Sequence, residues 1–316
     1  MHPAKSVIFF TTASGAGYGL LALLIAGNIL GIMPVDFWLA FTGYAVSYVL
    51  ITGGLLSSTF HLGHPERAWR ALTQWRSSWL SREGVMAILT FIPTGLYALH
   101  QLFFADILQG LMGIVGVVGI ISCVITVYCT AMIYASLKPI HAWSNGYVPA
   151  GYLLLALMSG LVLLNGLLAV WGGTVALLQL VTLLILGLGV AWKVAYWRFL
   201  DSSQSISTPE SATGLGEFGS VKLFEAPHTE ANYLMKEMGF KIARKHAAKL
   251  RLITVVAAFA LPFFLILISL MMGGVLSLIA VILAVLASVV GIVAERWLFF
   301  AEARHTVGLY YGASRA

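Results

Sequence analysis

Residues 61–84 lie between two long apolar runs and read HLGHPERAWRALTQWRSSWLSREG. They hold two His, four Arg, two Glu and three Trp, in a 316-residue chain of which only 9% is charged. Polar chemistry gathered at the edge of an apolar region suits a ligand with a polar head and an apolar body. A quinone is such a molecule: it carries two carbonyl oxygens, and its redox cycle moves two electrons and two protons. A site for it needs a hydrogen-bond donor at one carbonyl and an acid/base able to exchange protons with water. His61 ends one apolar run, and an imidazole titrates near physiological pH, so it suits the first role. Glu83 opens the next run and suits the second. Arg67, Arg70 and Arg82 are candidates for raising the ligand's electron affinity or stabilising the Glu83 carboxylate. The same His and Glu serve equally as interfacial anchors or helix caps, and residue types alone do not separate the two readings.

The elements that position these residues follow from composition. At 60% hydrophobic residues and a mean hydropathy of +0.93, the chain has too little charge to cover a water-soluble domain. Apolar runs of about 20 residues cross a bilayer as helices, which satisfy their own backbone groups. Eight such runs are read at roughly 7–32, 36–60, 84–104, 108–133, 148–171, 174–200, 252–272 and 274–298. The first is too long for a cleaved signal and reads as a retained span. The expected fold class is all-α: a polytopic membrane protein with eight transmembrane helices.

Charge gives an orientation. The turns after runs one, three and five contain no Lys or Arg, and all 18 basic residues fall on the other side. Positive charge accumulates on the cytoplasmic side, which predicts both termini and the three larger loops inside. This also accounts for the net charge of +6 without nucleic acid. Lys193, about two turns inside run six, is expected to snorkel to that same face.

Local signals refine the picture. Gly15 and Gly19 form a small-xxx-small pair suited to close helix packing. Pro65 starts a short amphipathic helix in which Ala68, Trp69, Leu72 and Trp75 recur. Ser81 is expected to cap the third span, with Glu83 in its first turn. The chain reads as one domain over 1–316 with a cytoplasmic insert at about 201–251. The insert is Ser/Thr/Gly-rich at first and helical from about Thr229. Cys123 and Cys129 read as small buried residues. No span has a central His, which argues against a buried haem, and no Cys cluster suits an iron–sulfur centre. Asp36, Glu83, Asp106 and Glu295 all fall near span ends, whereas a transporter places such groups at mid-membrane.

His61-Leu62-Gly63 follows an apolar helix. Pro65 and Arg67-Ala68 come next, and Leu80-Ser81-Arg82-Glu83 opens the following span. In this pattern the chain resembles the DmsC family, the membrane anchors of complex molybdopterin oxidoreductases. A second match is Arg296-Trp297-Leu298-Phe299-Phe300 with His305-Thr306-Val307. The resemblance covers essentially the whole chain. It implies a quinone (ubiquinone or menaquinone) as the cofactor, bound at His61 and Glu83, with no haem or iron–sulfur centre in this chain. It implies as partners an iron–sulfur subunit and a molybdopterin-containing catalytic subunit, on which the molybdenum chemistry takes place. Two departures, the 201–251 insert and the charge map, set it apart from the dimethyl-sulfoxide-reductase type. They look like features of cytoplasm-facing sulfite dehydrogenase anchors, in which electrons flow from sulfite to quinone. The alternatives are a quinol-oxidising anchor of the dimethyl sulfoxide reductase type, a transporter, and a purely structural anchor.

Overall fold

A computed structural model describes residues 5–60, 62–105, 107–203, 207–225 and 246–314. These residues form helices and turns with no strands. Among the described residues, eight helices are long and apolar enough to cross a membrane: α1 (Lys5–Ile29), α2 (Phe37–Thr59), α3 (Trp79–Phe103), α4 (Gln109–Ala135), α5 (Tyr147–Val170), α6 (Ala176–Ser202), α8 (Ala247–Met271) and α9 (Gly274–Ala301). A short α7 (Pro209–Thr213) lies between α6 and α8. The chain is a multi-pass, all-α membrane protein.

Helix starts follow local chemistry. The carboxylate of Asp36 accepts the Leu39 amide at 2.7 Å and caps α2, satisfying one of the donors that every helix start leaves open. The third span corrects the expectation for Ser81. The cap is Ser78, whose hydroxyl accepts the Ser81 amide at 3.4 Å. The preceding turn closes where the Ser77 and Ser78 amides donate to the Gln74 carbonyl. Trp79 and Leu80 then continue the helix. Glu83 therefore lies beyond the first turn, on the buried face, and the helix dipole is not what holds it.

α1 and α5 are the most enclosed helices. They cross backbone to backbone: a Cβ on Gly19 would lie 2.0 Å from the Ala156 carbonyl oxygen, and one on Gly160 would lie 2.4 Å from the Gly19 carbonyl carbon. Only glycine permits this approach. Gly15, the other half of the expected pair, has its nearest neighbour at 4.0 Å. A similar contact sets Gly291 of α9 against Ala258, where α8 widens into a π-turn over Val255–Ala260.

With no hydrophobic driving force between helices in lipid, packing and interhelical hydrogen bonds hold the bundle. α3 is joined to α4 by Thr90–Thr126 at 2.9 Å and to α2 by Tyr48–Thr94 at 3.1 Å. At the far end Gln101 accepts from Tyr44 and, at 2.7 Å, from Asn28. In the other half, Asn165 donates to Thr182 at 2.8 Å and Gln179 to Ser269 at 2.8 Å.

The α4–α5 loop is packed inward. The Trp143 indole donates to the Phe299 carbonyl at 3.0 Å, and the Tyr196 hydroxyl donates to the Ala142 carbonyl at 2.9 Å. His305 meets the Trp143 ring edge-on, so the C-terminal sequence match is part of this aromatic clasp. Arg251 binds both oxygens of Asp201, at 2.6 and 3.0 Å, and ties together the two ends of the insert. The helix expected from Thr229 falls largely outside the described residues.

Lys193 corrects a second expectation. It does not snorkel: it is 6% exposed and paired with Glu295 of α9. A carboxylate two turns inside a neighbouring span gives the ammonium a partner within the bundle. Extension to the surface is then unnecessary.

Candidate functional site

The segment before α3 begins with a 3-10 helix, Pro65–Gln74, in which no residue is buried. Trp69 and Trp75 are exposed, with Arg70 and Arg76 lying over them at 5.7 and 5.5 Å. Exposed Trp beside Arg suits an element lying at the headgroup level. Leu72 reaches back onto α3, where a Cβ on Gly84 would meet its Cδ2 at 2.8 Å.

The arginines do not converge on Glu83. Arg67 lies 3.7 Å from Glu66, and both are exposed. Arg82 donates to the Trp75 carbonyl at 2.9 Å and to the Arg76 carbonyl at 2.7 Å. Its guanidinium stacks 4.3 Å from the Trp79 ring. Arg82 is thus a clamp on the turn before α3. His61 lies outside the described residues.

Glu83 is 4% exposed and accepts a hydrogen bond from the Thr130 hydroxyl of α4. Ser81, nearer the helix start, has a buried hydroxyl with no hydrogen-bond partner among the described residues. So does Tyr18 of α1. Tyr18 also lines an apolar crevice of about 190 Å³ between α1, α4 and α5, beside Gly19 and Cys123. Buried hydroxyls without partners are costly unless a ligand or water satisfies them. Of these three polar groups, Tyr18 is the one that lines the crevice.

A second polar group has almost no signature in the sequence. The Lys193–Glu295 pair is joined by Arg296, whose guanidinium nitrogen lies 3.5 Å from Glu295 and whose plane stacks 3.8 Å from the Tyr152 ring. Arg296 is 4% exposed, and both its Nε and the Tyr152 hydroxyl lack a hydrogen-bond partner among the described residues. The Glu295-Arg296 dipeptide is the one hint. Lys193 is far away along the chain, and periodicity does not report such pairings.

The chain is similar to known proteins along nearly its whole length. The family described as DMSO reductase anchor subunit (DmsC) matches residues 1–312. The chain belongs to the DmsC family. One relative of this anchor is a sulfite dehydrogenase subunit of Allochromatium vinosum, 33% identical, with 98% of this chain and 99% of the relative covered. No solved structure matches. As a DmsC-family protein, the chain is the membrane anchor of a multisubunit oxidoreductase, which implies catalytic and iron–sulfur partners.

Proposed function

We propose that this anchor exchanges electrons between an iron–sulfur partner and a membrane quinone, with Glu83 as the group that trades protons with the quinone head. The observation that carries this reading is the buried Glu83 carboxylate, held on one oxygen by the Thr130 hydroxyl of the neighbouring helix. A bound quinone supplies two-electron, two-proton redox chemistry. The chain's own residues do the rest: Thr130 orients the carboxyl, Glu83 holds or releases a proton, and the α1–α4–α5 crevice excludes water from the apolar body. His61 is proposed as the hydrogen-bond donor to one quinone carbonyl. Arg67, Arg70 and Arg82 are proposed to act through the local field and the shape of the loop. The bound lipid is a ubiquinone or a menaquinone.

The anchor works in this reading as one eight-helix membrane unit with both termini, the 201–251 insert and its docked partners on the cytoplasmic face of a bacterial inner membrane. The absence of Lys and Arg from the turns at the opposite face supports this orientation. Sulfite oxidation by a molybdenum-containing partner is the proposed electron source, supported by full-length similarity to a sulfite dehydrogenase subunit. The family description favours a second reading, quinol oxidation toward dimethyl sulfoxide. Purified complex decides between them: sulfite-driven reduction of a short-chain quinone is expected, and quinol-driven reduction of dimethyl sulfoxide without sulfite oxidation would reverse the assignment. Glu83→Gln is expected to abolish quinone turnover while the partner subunits stay bound. Full turnover in that variant would remove Glu83 from the site.

A further inference from the structure

Outside the spans, α7 and the residues after it build a hydrogen-bonded platform against the C-terminal segment. Arg251 binds Asp201 at the end of α6 and, at 2.8 Å, Glu302 just past α9, so the insert is tied to the bundle at both ends. The Thr208 hydroxyl caps α7, and Glu210 in its first turn accepts the Val221 amide at 2.9 Å. Gly214, with φ at 70°, ends α7, and a 3-10 turn, Gly216–Phe218, follows. The chain then packs along a C-terminal 3-10 helix, Thr306–Tyr311. The Tyr310 hydroxyl donates to the Ala212 carbonyl at 2.9 Å, and a Cβ on Gly312 would meet Leu223 Cδ2 at 3.5 Å.

This bonding holds large apolar side chains out of the protein. Phe218 is 86% exposed and Phe224 98%, and Leu215, Leu223 and Tyr310 are exposed on the same platform. Apolar side chains gathered in this way outside the hydrocarbon mark an interaction surface. Charge says what kind. Residues 209–225 carry Glu210, Glu217 and Glu225 against Lys222, whereas residues 65–76 carry Arg67, Arg70 and Arg76 against Glu66. The basic, Trp-bearing segment suits anionic lipid headgroups, and an acidic segment is repelled by them. Aromatic anchors in an acidic surround fit a protein whose facing surface is apolar with a basic rim. The platform is also at the same end of the bundle as Glu83. His305, which precedes the C-terminal 3-10 helix, meets the Trp143 ring, and Trp143 meets Tyr134 of α4 at 5.3 Å. Thr130, which holds Glu83, is one turn earlier on α4.

We propose that the platform formed by residues 209–225 and the Thr306–Tyr311 helix is the docking surface for the iron–sulfur subunit, with Phe218 and Phe224 as its anchors. The proposal rests on the reading of this chain as an anchor that exchanges electrons through such a partner. The two rings enter apolar pockets of that subunit, and the exposed Glu217 and Glu225 face its basic residues. The Glu210 and Tyr310 hydrogen bonds fix the platform before the partner arrives, so little ordering is left to oppose binding. A partner seated there is at the end of α4 whose Thr130 holds Glu83, which is where electron exchange with a quinone at that acid needs it.

The test uses the whole complex, co-expressed and purified through a tag on this chain, with Phe218→p-benzoylphenylalanine or Phe224→p-benzoylphenylalanine as photo-cross-linking variants. Irradiation is expected to join both positions to the iron–sulfur subunit, identified by mass spectrometry. Cross-links only to lipid, to residues 226–245 of this chain, to a second copy or to the catalytic subunit, or none at all, would overturn the proposal. Phe218→Ser/Phe224→Ser is expected to raise the concentration at which the diluted complex dissociates at least ~10-fold, about 1.4 kcal/mol, while the anchor keeps its own Tm. Glu217→Lys/Glu225→Lys is expected to weaken the complex too, most at low salt. An unchanged dissociation concentration in both double variants would also overturn the surface. None of these readouts needs turnover at Glu83. A parental rate in Glu83→Gln would remove the quinone site and leave the docking surface standing, and a failed cross-link beside a slow Glu83→Gln would do the reverse.

Discussion

The Glu83 carboxylate on α3 is held by the Thr130 hydroxyl on α4, and among the described residues no Lys or Arg forms an ion pair with it. A buried acid fixed by a hydroxyl rather than a cation keeps the freedom to take up and release a proton. An arginine in contact would lock it as a carboxylate.

Thr130→Val keeps the shape of the side chain and removes that hydrogen bond. Hydrogen bonds to charged groups are worth ~1.5–3 kcal/mol, so quinone turnover should fall about 10- to 100-fold. The complex should still purify with its partners. Steady-state rates on decylubiquinone check this, and an unchanged rate would show that Thr130 does not orient the acid.

Lys193→Met leaves Glu295 buried beside Arg296 alone. Removing one member of a buried pair costs ~3–5 kcal/mol, whereas replacing both by apolar residues is often neutral. The single variant should therefore melt well below the parent in detergent, and Lys193→Met/Glu295→Met should recover most of the loss. Thermal unfolding of the three proteins side by side measures the difference. Equal melting points would mean that the pair adds nothing to the bundle.

Gly19→Ala and Gly15→Ala differ by one methyl at neighbouring positions on α1, yet their effects should be far apart. The first drives a Cβ into the Ala156 carbonyl at 2.0 Å, and the second meets only a Cβ at 4.0 Å. Overpacking of well-packed interiors costs ~1–3 kcal/mol and more where backbone must move. Gly19→Ala should lower the yield of folded protein sharply, with Gly15→Ala close to parental. Size-exclusion profiles after membrane extraction report the outcome.

Glu210, at the start of α7, accepts the Val221 amide at 2.9 Å. This backbone bond, with bonds from its own amide and Thr208, holds the carboxyl below the ordinary carboxylate range. A depressed acid stabilises the folded loop above its unfolded value, and that contribution is lost as pH falls through the folded one. The protection of the Val221 amide from hydrogen exchange, relative to an unfolded amide, should hold at neutral pH and fall only on strong acidification. In Glu210→Ala it should be low throughout.

The number of spans was legible because a bilayer imposes a length on each apolar run, and all eight expected runs overlap an observed helix. The place of Glu83 near the start of a span was legible because it follows a polar loop. Its surroundings were not. Ser78 and Ser81 both suit a cap, and the choice fell to Arg82, which ties down the carbonyls of Trp75 and Arg76 and ends the turn early. The Lys193–Glu295 pair was illegible because its members are on helices distant in sequence, and a lysine near a helix end looks the same whether it turns outward or inward. Gly19 announced a close crossing, but nothing in α1 names α5 as the partner.

That crossing also has a consequence in time. α1 is the first of these helices to be made, while Gly160, against which it fits, emerges only after three further helices have entered the membrane. Until then the nascent chain holds α1 against α2 but without α5. Any truncation upstream of α5 leaves α1 packed on α2 and α4 but without the backbone crossing at Gly160, so the tightest seam of the bundle closes midway through synthesis.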